Sequence, residues 1–442
     1  MATASYPPGP RLPRLVQTLL FARRRQQFEA RVRRRYGDTF TLRLVPPFAG
    51  HLVVFSRPEH IREIFAADPA DLHAGEGNGL FGPIVGDRSV LVTDEAEHAR
   101  ARRLLMPAFT GSALHGYREL VAAIAKDHID EWVSQSTLPA LARMNDLTLD
   151  VIMQVVLGVT EERRRAELAP RLRRVIQLDP IVFYGLAIPQ LRRIGPWKRF
   201  YAAVAELDRM LYAEIAHRRA QAHRDPRADV LSRLLAVGSG ENPADAPLSD
   251  EELRDQLVTL LLAGHETTSS ALAWAFHELA AAPEVQRRAR HAACEGDDKY
   301  LEAVLKEAMR RRTVISAAIR RVNRDMTLGG WELPEGTYVI TSIVLAHQDP
   351  AHHPDSDTFR PERFLDGSVA ANTWLPFGGG VRRCIGAGFA LMEGTAVLRE
   401  ALSRYTLSLP PGAAPERGRL RNITTVPADG ARVLVVPNGS RR

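Results

Sequence analysis

Cys384 sits near the end of Phe377-Gly378-Gly379-Gly380-Val381-Arg382-Arg383-Cys384-Ile385-Gly386, the stretch of this 442-residue chain whose residue types point most directly to chemistry. A glycine-rich turn lets backbone N–H groups converge on one point, and a cysteine directly after it, at the start of a helix, meets the positive end of the helix dipole. Both effects favour the thiolate, the state in which cysteine binds iron and in which amide hydrogen bonds to the sulfur tune the metal. The alternative is an inert buried cysteine beside a phosphate-type glycine loop. A second candidate is Ala263-Gly264-His265-Glu266-Thr267-Thr268, where a carboxylate and hydroxyls stand midway along an otherwise apolar helix. Burying such groups is costly unless they find partners or perform work. A threonine there either serves a ligand or bonds back to its own helix.

The ten residues 377–386 match every fixed position of Phe-Gly-x-Gly-x-Arg-x-Cys-x-Gly, and so resemble the haem-binding signature of the cytochrome P450 family. Other marks of that family lie outside this window and count separately. Glu307 and Arg310, one helical turn apart, would by themselves be an ordinary surface ion pair. Followed by Phe359-Arg360-Pro361-Glu362-Arg363-Phe364, they resemble the family's structural triad of Glu307, Arg310 and Arg363, which supports the haem loop. His98 and Arg102, four residues apart and so on one helix face, match its His-x-x-x-Arg. Arg320, with Arg321 adjacent, and Arg382 occupy the other positions that hold haem carboxylates, for which the guanidinium fork is suited.

The resemblance implies a haem b cofactor with Cys384 as its metal ligand, and His98, Arg102, Arg320, Arg382 and Cys384 as the cofactor-binding set. It implies that the small pair Ala263-Gly264 lets the central helix approach the haem, that Thr267 hydrogen-bonds oxygen at the iron, and that Glu266 relays protons. Splitting O–O requires two protons, and the donating thiolate assists it. The expected fold is mainly α with small β-sheets, a single triangular-prism-like domain over 1–442 with a long central helix above the haem and a Pro/Arg-rich lead-in at 1–35. The expected activity is a monooxygenase that inserts one atom of O2 into a lipophilic molecule, with electrons from a ferredoxin or flavodoxin and its reductase, since no fused reductase is expected. Peroxide-driven or coupling chemistry on the same fold is the alternative within the class, and a non-catalytic haem sensor or carrier the alternative outside it. The chain departs from the family at Arg311-Arg312-Thr313, where a short apolar residue and a proline are usual, and this bears on the shape of the pocket.

These residues need elements to hold them. The β-branched and apolar runs 39–44 and 52–55, split by Pro46-Pro47 and Gly50, predict a hairpin. A short helix opens at Pro58, and 3.6-residue periodicity predicts a helical body over 97–237, followed by a polar loop at 238–246. Ser249 and Glu252 form a capping-box pattern that starts the helix carrying Glu266 and Thr267, which runs to Ala281 before Pro283. At ~1.5 Å per residue that helix is nearly 50 Å long. A helix at 300–312, strand-like segments at 326–331 and 338–343, an irregular proline-punctuated tract at 349–380 and a helix at 386–405 follow. The close is a C-terminal hairpin turning at Pro427-Ala428-Asp429-Gly430.

Composition sets the limits. Hydrophobic residues at 45% and charged residues at 25% fit an ordinary globular protein. Two cysteines cannot build a disulfide framework, which together with the absence of a secretory h-region predicts a reducing cytosol. The apolar run 257–264 falls far short of the ~20 residues that cross a bilayer, so no transmembrane anchor is expected. Near the N-terminus a Pro-rich start, the apolar 15–21 and arginine runs read as a solvated helix face, with weak membrane-surface contact as the alternative. A net charge of +7 without interleaved aromatics or a reader module argues against nucleic acid and suits an acidic partner protein, and the chain is expected to be a monomer. Pocket segments at 80–85, 181–187, 260–263, 313–319 and 423–425 are chiefly apolar, which predicts a terpenoid, fatty acid or polyketide-like substrate.

Overall fold

The computed structural model describes residues 6–439 apart from 47–49, 135, 177–181, 183–184, 187, 222–228 and 237–245. Helix α1 (Arg14–Tyr36) leads into the predicted hairpin of β1 (Thr39–Arg43) and β2 (His51–Phe55), paired antiparallel from Thr39–Phe55 to Arg43–His51. Helix α2 (Pro58–Ala66) opens on its proline, which loses no hydrogen bond at a position whose N–H has no partner in the helix. A two-residue strand β3 (Leu72–His73), short helices α3 (Ala74–Gly77) and α4 (Gly82–Val85), and α5 (Glu95–Leu105) follow. The helical body continues with α6 (Gly111–Asp130), β4 (Thr137–Pro139), α7 (Ala140–Leu157), α8 (Glu162–Ile176), α9 (Gly195–Gln221) and α10 (Val230–Ala236). The loop expected at 238–246, all but Ala246, and most of the pocket segment at 181–187 lie outside the described residues.

The central helix α11 (Asp250–Ala281) begins at the predicted capping box: Glu252 N–H donates to Ser249 Oγ at 3.1 Å and Ser249 N–H to the Glu252 carboxylate at 2.8 Å. It is buried along most of its length and packs most extensively on α7, whose own residues are nearly all buried. A helix enclosed this way needs apolar residues on every face, which the sequence supplies. Helices α12 (Pro283–Glu295) and α13 (Asp298–Arg311) come next.

Strands β5 (Ala317–Val322) and β8 (Tyr338–Ser342) complete the larger sheet, ordered β1-β2-β8-β5-β3. Its β2–β8 pair is parallel, and the connection between those strands contains helices α2 to α13. Two expectations are corrected. The segment 326–331 is not one strand but folds back as β6 (Met326–Leu328) and β7 (Trp331–Leu333), because Gly329 and Gly330 take φ of +56° and +79° and form a two-residue turn. The C-terminal hairpin turns earlier than predicted: β10 (Gly418–Arg421) pairs with β11 (Thr424–Pro427), while the strand after Gly430, β12 (Arg432–Pro437), pairs with β4 and with β9 (Tyr405–Ser408). The Glu416 carboxylate explains the change of direction, since it accepts from Asp429 N–H at 2.9 Å and Ala431 N–H at 3.0 Å and so turns β12 away from β11. Helices α14 (Ile343–His347) and α15 (Ala387–Arg404) flank the irregular tract 349–380.

Candidate active site

Cys384 lies between a tight glycine turn and the first residue of α15, and its N–H donates to Phe377 O at 2.9 Å, which closes the loop on itself. The glycines are required by α2. A side-chain carbon at Gly379 would lie 2.3 Å from the Phe65 ring, and one at Gly380 2.0 Å from Phe65 O, with Gly380 also at φ +62°. The loop is thus pinned to α2 by backbone approach. The Cys384 residue is exposed, yet burial is the main influence on its thiol and pushes the pKa up, against the Gly386 N–H and the charges of Arg102 and Arg383, which pull it down. The helix-start effect read from the sequence is present but is outweighed in the protein alone. The thiol thus has protein close around it while the residue itself stays uncovered.

A matching open surface runs along α11. Ala263 is exposed and Leu260, Gly264 and Thr267 are partly open, while Leu257, Val258, Leu261, His265, Glu266 and Thr268 are buried. The spacing of three, four and seven residues puts these four positions on one face, while Leu262, also partly open, lies off it. α11 and α15 are in contact, so both open surfaces belong to adjoining elements. Thr267 Oγ1 donates to Ala263 O at 2.7 Å, the back-bond to its own helix, and this leaves the oxygen free to accept on the open side. Gly264 also has a neighbour on the side of α7. A carbon there would lie 2.5 Å from Ile152 Cδ1, so a larger residue would need that side chain on α7 to shift.

Glu266 is buried, and its carboxylate accepts from Arg421 Nε at the end of β10. Its neighbour His265 stands 2.8 Å from Thr148 Oγ1 and is held neutral, with its pKa pushed down to about 3 by burial and then by the charges of Arg421 and Arg173. Arg421 is a partner that sequence reasoning missed. It lies 155 positions from Glu266 and carries no local signal.

The four predicted cationic side chains come together. His98 is buried and its pKa is pushed down to about 4, first by burial and then by Arg382, Arg102 and Arg320. Burial and mutual repulsion also push Arg320 and Arg382 down to about 10. Arg320, not Arg321, turns inward: it is buried with its guanidinium 5.9 Å from the Phe65 ring centre, while Arg321 pairs outside with Glu76. One carboxylate answers this charge. Asp94 pairs with Arg382 and also accepts the N–H groups of Ala74, Gly75 and Glu76 at 2.8–2.9 Å. Among the described residues neither Arg102 nor Arg320 makes an ion pair. Asp94 was not anticipated, although its place four residues before His98 was a usable sign.

Glu307, Arg310 and Arg363 assemble as expected and are fully buried or nearly so. Arg310 grips the Glu307 carboxylate twice, at 2.7 and 2.9 Å, Arg363 Nε adds a bond at 3.1 Å and Arg360 N–H another at 3.0 Å. Arg310 also donates to His347 O and Ser356 O, which ties α13 to the irregular tract. The unusual Arg311-Arg312-Thr313 is taken up by other partners, with Thr313 buried beside His347. Both arginines turn to the buried Glu278 of α11, Arg312 lies 4.7 Å from the Trp274 ring centre, and Trp274 Nε1 donates to Thr425 O at 3.1 Å. Two expected pocket segments do meet, through Thr425 N–H to Val314 O at 2.8 Å and the Ile315–Thr424 bridge.

Comparison with known proteins agrees with this arrangement. Residues 7–434 match the family model described as Cytochrome P450. Cytochrome P450 135A1 of Mycobacterium tuberculosis is 54% identical over 435 residues, covering 98% of this chain and 96% of that protein. Cytochrome P450 135B1 of Mycobacterium bovis is 38% identical over 435 residues, covering 97% and 91%. Among solved structures, retinoic acid bound cyanobacterial CYP120A1 superposes with a TM-score of 0.85 at 26% identity, covering 98% of this chain and 100% of that one. An uncovered thiol before α15, open positions from Leu260 to Thr267 on α11 and a buried basic cluster, on a chain matched from residue 7 to residue 434, accord with what the comparisons show: this protein belongs to the cytochrome P450 family of haem-thiolate monooxygenases.

Proposed function

We propose that this chain, acting as one domain over 1–442, oxidises a lipophilic molecule with O2 and electrons from a separate ferredoxin or flavodoxin and its reductase. The observation that carries the site assignment is the basic cluster. His98, Arg102, Arg320 and Arg382 are crowded together, with their protonated forms disfavoured and Asp94 as their partner carboxylate. Haem b fits this donor set, because its two carboxylates supply the missing anions and the uncovered Cys384 thiol supplies the iron ligand. A bound cation also reverses the balance at the sulfur and favours thiolate. When bound, the haem supplies the redox centre at which O2 is activated.

In the overall reaction one oxygen atom enters the substrate, the other leaves as water, and two electrons and two protons are consumed. Thr267 contributes an oxygen that accepts on the open side while its hydrogen is held by Ala263 O. Glu266 stands one residue away with its carboxylate held by Arg421, and moves protons between the hairpin side of α11 and the Thr267 hydroxyl. The apolar residues Leu260 and Ile315, with Ile423 at the hairpin tip, favour a substrate bound by apolar contact. The similar cyanobacterial structure, described with retinoic acid bound, supports an isoprenoid or fatty-acid-like class. An acidic carrier suits the exposed Arg383 next to Cys384. Replacement of Thr267 by Ala tests the proton role: product per electron consumed falls about tenfold or more, with peroxide released instead. Unchanged coupling would reject that role and favour peroxide-driven or coupling chemistry.

A further inference from the structure

The first half of α1 is built inside out. Its buried residue is Gln17, whose amide donates to Pro10 O at 3.1 Å and Leu12 O at 2.8 Å and accepts from Arg43 N–H at 3.0 Å. Thr18 likewise turns inward to accept from Val45 N–H at 3.0 Å. Leu12, Leu15, Val16 and Leu19 point outward and are 42%, 62%, 39% and 47% exposed. Leu15, Val16 and Leu19 form a stripe on one face of the helix, and Leu12 stands just before the helix, ahead of Pro13. The inward apolar contacts are made by Leu20 and Phe21, so the outward four are not needed to hold the helix on the body. At Arg24 the backbone leaves helical geometry (φ −139°, ψ 37°), which separates this segment from the part of α1 that packs by Phe28 and Val32.

Charge around the stripe has one sign. Arg11, Arg14, Arg23 and Arg24 are exposed and make no ion pair among the described residues. The first acidic residue in the chain is Glu29, and it is buried and bonded to Arg25 and Ser342. No helix among the described residues is long and apolar enough to cross a membrane.

We propose that the first half of α1, with Arg11 and Leu12 just before it, docks this protein on the surface of an anionic lipid bilayer, with the exposed leucines and valine entering the headgroup boundary and the four arginines meeting lipid phosphates. An apolar stripe flanked by unpaired arginines is the pattern of a helix that lies in the interface plane. An acidic protein partner would be met by the charges but would leave four large aliphatic side chains without a matching role.

Co-sedimentation of the haem-loaded protein with vesicles tests the proposal. Binding to phosphatidylcholine–phosphatidylglycerol vesicles exceeds binding to phosphatidylcholine alone about tenfold or more and weakens in high salt. The double variant Leu15→Glu/Leu19→Glu binds about tenfold more weakly or not at all, with its visible spectrum and melting temperature unchanged. Leu12→Ser/Val16→Ser serves as an independent pair should the first fail to fold. Equal binding by the folded leucine variants would overturn the proposal in favour of plain charge adsorption. Absence of vesicle binding would also overturn it. In that case, a dimer lost on changing Leu15 and Leu19 would assign the stripe to a second copy, and stripe-dependent retention on an immobilised acidic ferredoxin would assign it to a protein partner.

Discussion

Gly264 offers a test that separates two reasons for a small residue in the middle of α11. In a helix interior, Gly264→Ala gains about 1 kcal/mol of propensity. The new carbon would lie 2.5 Å from Ile152 Cδ1 and 3.2 Å from Cγ1, and overlap of that kind in a packed core costs about 1–3 kcal/mol. The single variant is therefore between neutral and about 2 kcal/mol destabilised. Ile152→Val removes the Cδ1 responsible for the shortest contact and on its own costs about 0.5–1.5 kcal/mol. In the double variant the overlap is largely gone while the propensity gain remains, so the two changes couple favourably by about 1–3 kcal/mol. Urea unfolding of the four proteins reads this energy, and the haem absorption band reads cofactor retention. If α7 packing is the reason for Gly264, the double variant recovers stability and keeps its haem. Additivity within about 0.5 kcal/mol, together with haem loss in both Gly264 variants, would refute the packing account and restore close cofactor approach as the reason.

Glu307→Gln leaves Arg310 and Arg363 buried with a neutral amide in place of the carboxylate they share, and is expected to cost about 3–5 kcal/mol in urea unfolding; an unchanged midpoint would contradict the triad as described. His265 sets a pH dependence. Its pKa is about 3 in the folded protein against an ordinary value near 6.5, so the unfolded state takes up the proton first and stability falls as pH drops below about 6.5. At pH 5 this one residue accounts for about 2 kcal/mol of lost stability, and His265→Gln is expected to reduce the loss between pH 7 and pH 5 by about that amount. An acid-stability slope identical to that of the parent protein would reject His265 as a contributor.

What could be read from the sequence was local. The Cys384 loop and the Ser249–Glu252 capping box lie within one or two turns of chain, where spacing fixes geometry. The role of the Glu307–Arg310 pair, and Arg363 with it, came from the resemblance to the family pattern. What could not be read were choices made by distant partners. Nothing near Gly430 indicates that Glu416 will turn β12 away from β11, and nothing near Arg421 indicates Glu266. Arg311 and Arg312 looked like an intrusion into the pocket because their acceptor, Glu278, lies more than thirty residues earlier on another helix. Gly264 was read for its ligand side alone because its neighbour on the other side, Ile152, is invisible in one dimension.

The β10–β11 turn has a bearing on how this enzyme can diversify. Arg421 holds Glu266, and Ile423, two residues further on, lies exposed at the tip of the same short turn, with Asn422 at φ +57° between them. The turn is too short for one residue to shift without the other. Under the proposed roles, a mutation that reshapes this wall for a new substrate also alters the grip on the proton-carrying carboxylate. Selection for new substrates at this turn would therefore act on coupling efficiency at the same time, whereas changes at 80–85, remote in sequence from both residues, leave that trait alone.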